Sequence, residues 1–305
     1  MSNFNPAEPD PSVIGGVPKA PYVRLPDPAA VFARRGARFA ALAASGELAP
    51  YLTLLAAVSE AQARILPALP EAPPPSAEAL ERARQFAMPP LDRSAPASDD
   101  ALRQTCRRLC DALVPAPKPD AAQAALSRLR SADDPSLDAM IAATLAGAPP
   151  DGALAEHVFL ASALQVHFTR LAARLPGDRL VPVSVGVCPA CGARPGVSVI
   201  SGWSRAEGVR YAVCSLCSTL WNEVRIKCLG CGSTEGVGFQ EIEGQGGTIK
   251  AETCDMCEGY LKVLYLDKDT TLDPVADDVA SLALDQLLME TVYRRLGANP
   301  FLAGY

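Results

Sequence analysis

Eight of the ten cysteines in this 305-residue chain fall in four Cys-x-x-Cys pairs: Cys188/Cys191, Cys214/Cys217, Cys228/Cys231 and Cys254/Cys257. Adding 40 to each cysteine number in the first two pairs gives its counterpart in the last two, so the block is a tandem duplication. Two cysteines at this spacing turn their sulfurs toward one point, and two such knuckles supply the four thiolates of a tetrahedral site. Following the repeat, the favoured grouping sets Cys188/Cys191 with Cys214/Cys217 and Cys228/Cys231 with Cys254/Cys257, which makes each half self-contained. Two ions per chain are then expected. Tetrahedral sulfur accepts zinc or mononuclear iron, and spacing does not choose between them. A closed four-sulfur shell has no open position for water or substrate, so it fits structural or electron-transfer roles better than Lewis-acid catalysis.

The first knuckle of each half ends in glycine, Gly192 and Gly232, where a positive φ lets backbone N–H groups turn toward sulfur. The second knuckles carry Ser218 and Glu258 at the same place, a departure from the pattern. Trp221, four residues after Cys217, is placed to shield a metal centre. Trp203 sits in Ser201-Gly-Trp-Ser-Arg205, which reads as a hairpin tip and makes it a candidate partner contact against simple packing on the helices. Cys106 and Cys110 share a stripe with Leu102, Leu109 and Leu113 and read as core. The two histidines, His157 and His167, lie ten residues apart on one expected helix without a legible catalytic constellation.

The elements that must hold this block follow from periodicity. From about Asp27 to Leu175 apolar residues recur at helical spacing, as in Leu160, Leu164, Phe168 and Leu171. The Pro-rich stretch 67–75 interrupts the pattern, Ser76 and Asp99 or Asp100 are placed as N-caps, and Gly147 as a terminator. Alternation over 180–187 predicts a strand leading into the first knuckle. Short strands are expected at 197–200, 209–213, 248–251 and 261–266. After Pro274 a helical pattern returns through Leu282, Leu288, Val292 and Leu296. The expected organisation is therefore an extended or disordered 1–26, an α-helical domain over 27–179, four-cysteine metal-binding modules at 180–226 and 227–272, and a C-terminal helix and tail at 273–305. Small hairpin modules bury little, so metal binding is expected to contribute much of their folding free energy.

Composition narrows the partners. The chain is mildly acidic, with 28 Lys+Arg against 34 Asp+Glu, and no stretch concentrates basic residues as a phosphate-backbone surface requires. No run approaches the roughly 18 apolar residues of a membrane span. Arg34-Arg35 is followed by too short an apolar stretch for twin-arginine export, and a cytoplasmic location is expected. A reducing compartment favours thiolate metal sites over disulfides.

Words around the cysteines extend the pattern: Cys188-Pro-Ala-Cys191, Arg225-Ile-Lys-Cys228, Ala251-Glu-Thr-Cys254-Asp-Met-Cys257, Tyr260-Leu-Lys262, Ala276-Asp-Asp-Val-Ala-Ser-Leu282 and Asn299-Pro-Phe301. In these the chain resembles the formate dehydrogenase accessory protein family, FdhE, specifically from about 187 to 301. The resemblance implies rubredoxin-like modules. It also implies a cytoplasmic, non-enzymatic factor that acts on the catalytic subunit of respiratory formate dehydrogenase before export. Two other readings stay open: a zinc-ribbon nucleic-acid-binding protein, which the acidic cysteine block disfavours, and a thiol-redox sensing chaperone, since Cys-x-x-Cys is also a redox motif.

Overall fold

The structure, a computed structural model, describes residues 20–93, 99–148, 150–203 and 206–302. Its first part is helical: α1 (Pro28–Leu42), α2 (Ala49–Ile65), α3 (Ala77–Gln85), α4 (Asp100–Leu113), α5 (Asp120–Ser131), α6 (Asp134–Leu145) and α7 (Leu154–Ala172). Local chemistry sets the ends. Asp27 accepts from the Ala29 and Ala30 amides ahead of α1, Ser76 caps α3, and Asp99 caps α4 through Ala101 and Leu102. Gly147, at φ +66°, turns the chain out of α6.

Helix α7 is buried round most of its circumference, polar residues such as Gln165 and His167 included, and so lies enclosed. Helices α1, α2, α4, α5 and α6 surround it. Cys106 and Cys110 lie in this core, where burial pushes both thiols up, Cys110 to about 12. His157 and His167 are buried on α7, about 15 Å apart along its axis, and burial lowers both. Arg35, of the Arg34-Arg35 pair, is buried in α1 and donates to Gln165 Oε1 at 3.0 Å.

The cysteine block forms one mixed sheet with its flanks. Its strands are β1 (Val23–Arg24), β2 (Pro195–Ile200), β3 (Arg210–Cys214), β4 (Leu220–Glu223), β5 (Val237–Gln240), β6 (Ile249–Cys254), β7 (Gly259–Tyr265) and β8 (Arg294–Arg295). The order is β1-β4-β3-β2-β7-β6-β5, with β8 also on β7. The duplication survives in the register: Val213 faces Leu220 across β3–β4, and Thr253 faces Tyr260 across β6–β7. Strands β2 and β7 pair in parallel, Ser198 with Val263 through Ile200 with Tyr265, and so weld the two halves together.

Two expectations change here. Residues 180–187 form no strand; the alternation has no strand to pair with, and the segment runs as irregular chain to the first knuckle. The C-terminal helical pattern divides into α8 (Ala276–Ala280) and α9 (Leu282–Met289), after which the chain extends so that Arg294 and Arg295 lie beside Gly259 and Tyr260. Residues 20–26, part of the stretch expected as extended or disordered, carry β1, which pairs with β4, and the Asn222 amide donates to the Tyr22 carbonyl at 2.7 Å. No helix among the described residues is long and apolar enough to cross a membrane.

Candidate metal centres

The fold brings the eight cysteines into two groups of four, Cys188/Cys191/Cys214/Cys217 and Cys228/Cys231/Cys254/Cys257, with the sulfurs of each group all within 4.8 Å of one another. In each half a hairpin carries one knuckle at its turn, β3–β4 for Cys214/Cys217 and β6–β7 for Cys254/Cys257, and the preceding loop supplies the other. Across the first group Cys188 and Cys217 are 3.7 Å apart and Cys191 and Cys214 are 3.5 Å apart. In the second, Cys228–Cys257 is 3.6 Å and Cys231–Cys254 is 3.7 Å. A tetrahedron with metal–sulfur bonds of about 2.3 Å has edges of about 3.8 Å, whereas a disulfide needs about 2.05 Å. The donor set therefore fits a soft tetrahedral ion such as zinc or iron in each group.

Backbone geometry closes the knuckles. Gly192 and Gly232 have φ of +74° and +83°, and Ser218 and Glu258 adopt +57° and +53° without being glycine. Few non-glycine residues accept this conformation, and two of the three in the described chain follow a second-knuckle cysteine. The turn aims donors at sulfur: the Leu216 and Cys217 amides lie 3.4 and 3.3 Å from Cys214 Sγ, and the Gly230 amide 3.3 Å from Cys228 Sγ. Such contacts disperse thiolate charge. Burial pushes the Cys188 and Cys191 thiols up; for Cys214 burial acts the same way, but the three neighbouring thiols outweigh it and hold it well below the usual range.

The two groups differ in surroundings. All four cysteines of the first are buried, and they belong to the same apolar cluster as Phe159, Leu164 and Trp221 of the helices and β4. Loop residues press on it from outside: the Leu91 amide donates to the Ala190 carbonyl at 3.1 Å. In the second group Cys231 is exposed and Cys257 half-buried. Trp203 is half-buried, its ring 5.6 Å from that of Tyr211 and the Arg24 guanidinium 4.1 Å above it. It packs on β3 and the N-terminal segment rather than on the helices; Ser204 and Arg205 of its hairpin tip lie outside the described residues.

The structure gathers Tyr260, Lys262, Asp278 and Asn299, all within the words around the cysteines, together with Asp285. The Lys262 ammonium, fully buried, lies 3.2 Å from Asp278 Oδ1, also pairs with Asp285, and donates to the carbonyls of Asp278 and Ser281 at 2.8 and 3.0 Å. Arg295 pairs with both aspartates, Asn299 donates to Asp278 at 2.8 Å, and Tyr260 donates to Asp285 at 2.8 Å. Asp277 faces the other way and takes two hydrogen bonds from Arg38 of α1, at 2.9 and 2.7 Å. This charged cluster fastens the C-terminal segment to the second module on one side and to the helices on the other. A second buried pair, Arg210–Glu252 at 2.8 Å, joins β3 to β6, while Arg210 also donates to the Lys227 carbonyl at 2.9 Å between the modules. A lysine or arginine at a core-facing strand position was the available sequence signal.

Comparison with known proteins covers nearly the whole chain. Residues 20–185 match the family profile "FdhE, N-terminal", 187–225 "FdhE, central domain" and 226–302 "FdhE, C-terminal domain". A protein FdhE homolog of Rhizobium meliloti is 50% identical over 305 residues, covering 99% of this chain and 100% of that one. One from Pseudomonas aeruginosa is 37% identical over 283 residues, covering 90% of each. The crystal structure of the FdhE protein from Pseudomonas aeruginosa superposes with a TM-score of 0.83 at 35% identity, covering 93% of this chain and 99% of that one. With three consecutive profiles, full-length relatives and the same fold in agreement, the chain belongs to the FdhE family.

Proposed function

We propose that the protein is a cytoplasmic accessory factor for respiratory formate dehydrogenase. It binds the enzyme's catalytic subunit before export and turns over no substrate of its own. The observation that carries this reading is the pair of four-sulfur groups in a chain of the FdhE family. Eight thiolates close two coordination shells, and a closed shell stabilises a surface or passes an electron rather than activating a substrate. We assign Cys188, Cys191, Cys214 and Cys217 to one ion and Cys228, Cys231, Cys254 and Cys257 to the other. When bound, each ion would cross-link two knuckles, the first group within the main core and the second, with Cys231 exposed, with less core around it. The chain's own part is to hold eight sulfurs at tetrahedral separation and to aim the Leu216, Cys217 and Gly230 amides at them. Trp203 enters the reading as a partner contact, using the part of its ring that Tyr211 and Arg24 leave uncovered.

A pull-down from cells grown for formate respiration, with elemental analysis of the same sample, tests the reading. Recovery of the catalytic subunit with about two zinc or iron ions per chain is expected. Recovery of nucleic acid in place of the subunit, or of metal-free chain with disulfides within each Cys-x-x-Cys, would transfer support to the alternatives.

A further inference from the structure

Two cavities border the first metal centre. The larger, about 820 Å³, lies between α3, the loop 88–93, α6 and the irregular segment 183–192, and Cys191 and Gly192 form part of its wall. The smaller, about 440 Å³, lies between the end of α6, α7, the knuckle residues Ser215 and Leu216, and the C-terminal segment. They share Arg93, Leu145 and Ala146, so they are chambers of one cleft that passes the first knuckle. Each is the size of a ligand site.

The charge of the cleft opposes that of the molecule. The chain carries a net charge of −6, yet the chambers present Arg82, Arg93 and Arg194, with Asp92 as the one carboxylate in their walls among the described residues. Arg82, Arg93 and Arg194 are exposed, and none pairs with a carboxylate among the described residues. Arg295 also lines the cleft but is committed to Asp278 and Asp285. Between the guanidinium groups the floor is aliphatic, with Leu91, Leu145 and Val187. Arg93 lies over the knuckle itself, its Nε 3.9 Å from where a Cβ on Gly192 would stand.

From this juxtaposition we propose that the cleft binds an extended acidic peptide segment of a partner protein, its carboxylates on Arg82, Arg93 and Arg194 and its apolar side chains on the floor. Planar guanidinium groups pair well with carboxylates, and those left without an internal partner gain most from an external one. Single-stranded nucleic acid would meet the same cations, but among the described residues no Phe, Tyr or Trp lines either chamber to stack a base. A peptide here would touch helices, first module and C-terminal segment at once. The inference goes beyond the assembly reading and does not depend on which protein donates the segment.

Fluorescence anisotropy on the purified, metal-loaded full chain tests it, with a labelled peptide of alternating Glu and Ala as the probe. Saturable binding is expected, weakening as salt rises and about tenfold tighter than for the Lys–Ala counterpart. The double variant Arg93→Glu/Arg194→Glu should lose about tenfold or more in affinity with unchanged metal content and thermal midpoint. If that variant folds poorly, Arg93→Ala/Arg194→Ala should still lose several-fold. Arg108→Glu, on exposed α4 surface away from the cleft, should change nothing. Absence of saturable binding, an equal loss in Arg108→Glu, or equally tight binding of labelled oligothymidine would overturn the proposal. Because no formate dehydrogenase is present in the assay, failure there leaves the assembly reading standing.

Discussion

Replacing Lys262 with Met, similar in length but uncharged, probes whether the buried charged cluster holds the C-terminal segment. Its ammonium is enclosed by Asp278, Asp285 and the carbonyls of Asp278 and Ser281, with no exposure to water. The Lys262→Met change would leave two buried carboxylates sharing Arg295 and would strip two carbonyls of their donor. Removing one partner of a buried ion pair costs about 3–5 kcal/mol. For a chain of this size that lowers the thermal midpoint by about 5–15 °C. The pH dependence has a definite sign. Burial raises the Asp278 carboxyl, but Lys262 and Arg295, with Asn299, outweigh it and hold it below its usual range. Its contribution is therefore present above the unfolded value of about 3.9 and is lost as pH falls through the lower folded value. Without Lys262 burial is opposed by fewer cations, the folded carboxyl titrates higher, and protonation relieves the variant first. The gap between variant and parent, followed by circular dichroism melts from pH 7 to pH 4.5, should narrow toward acid. Lys262→Met/Asp278→Asn should recover part of the loss. A midpoint within about 2 °C of the parent at pH 7, or a gap that widens toward acid, would refute the reasoning.

Other outcomes follow from the unequal settings of the two cysteine groups. Cys191→Ser and Cys231→Ser should each lower metal content by about one ion per chain. Only the first should also loosen the helical core, which elemental analysis and near-ultraviolet circular dichroism separate; unchanged content in either defeats its ligand assignment. A chromogenic chelator should remove metal in two phases, the fast one from the group with exposed Cys231, and a single phase would remove the distinction. Gly186→Ala should cost about 2 kcal/mol or more in a denaturant melt, since Gly186 has φ +61° and its Cβ would stand 2.0 Å from the Leu229 carbonyl oxygen on the second module's first knuckle. Trp203→Ala should weaken capture of the partner subunit while leaving metal content alone; unchanged capture removes Trp203 from the interface.

How far the sequence carried depended on whether a signal was local. The Asp27, Ser76 and Asp99 caps and the Gly147 terminator act through hydrogen bonds or φ values within a few residues, and the helices begin and end there. The stretch 180–187 misled because alternation describes a strand's faces but not whether a partner edge exists. After Thr291 the leucine stripe misled in the opposite sense: Arg294 and Arg295 are drawn out of helix by Gly259 and Tyr260 at the start of β7, beyond its pairing with β2, and by Asp278 and Asp285. At Ser218 and Glu258 the residue type departs from the glycine of the first knuckles, yet the backbone keeps the same left-handed turn, which residue type alone does not signal.

By itself the sequence set eight cysteines in a duplicated pattern and favoured grouping them four to each half. The 40-residue duplication repeats a ligand spacing, and ligand spacing is a property of short chain segments. Tertiary structure alone decided that the halves fuse through β2 and β7, that one group is sealed under the helices while the other meets solvent, and that Arg82, Arg93 and Arg194 face one cleft. Those outcomes depend on which surfaces far apart in the chain cover one another. Burial and electrostatic field belong to that assembled whole, not to any one stretch of residues.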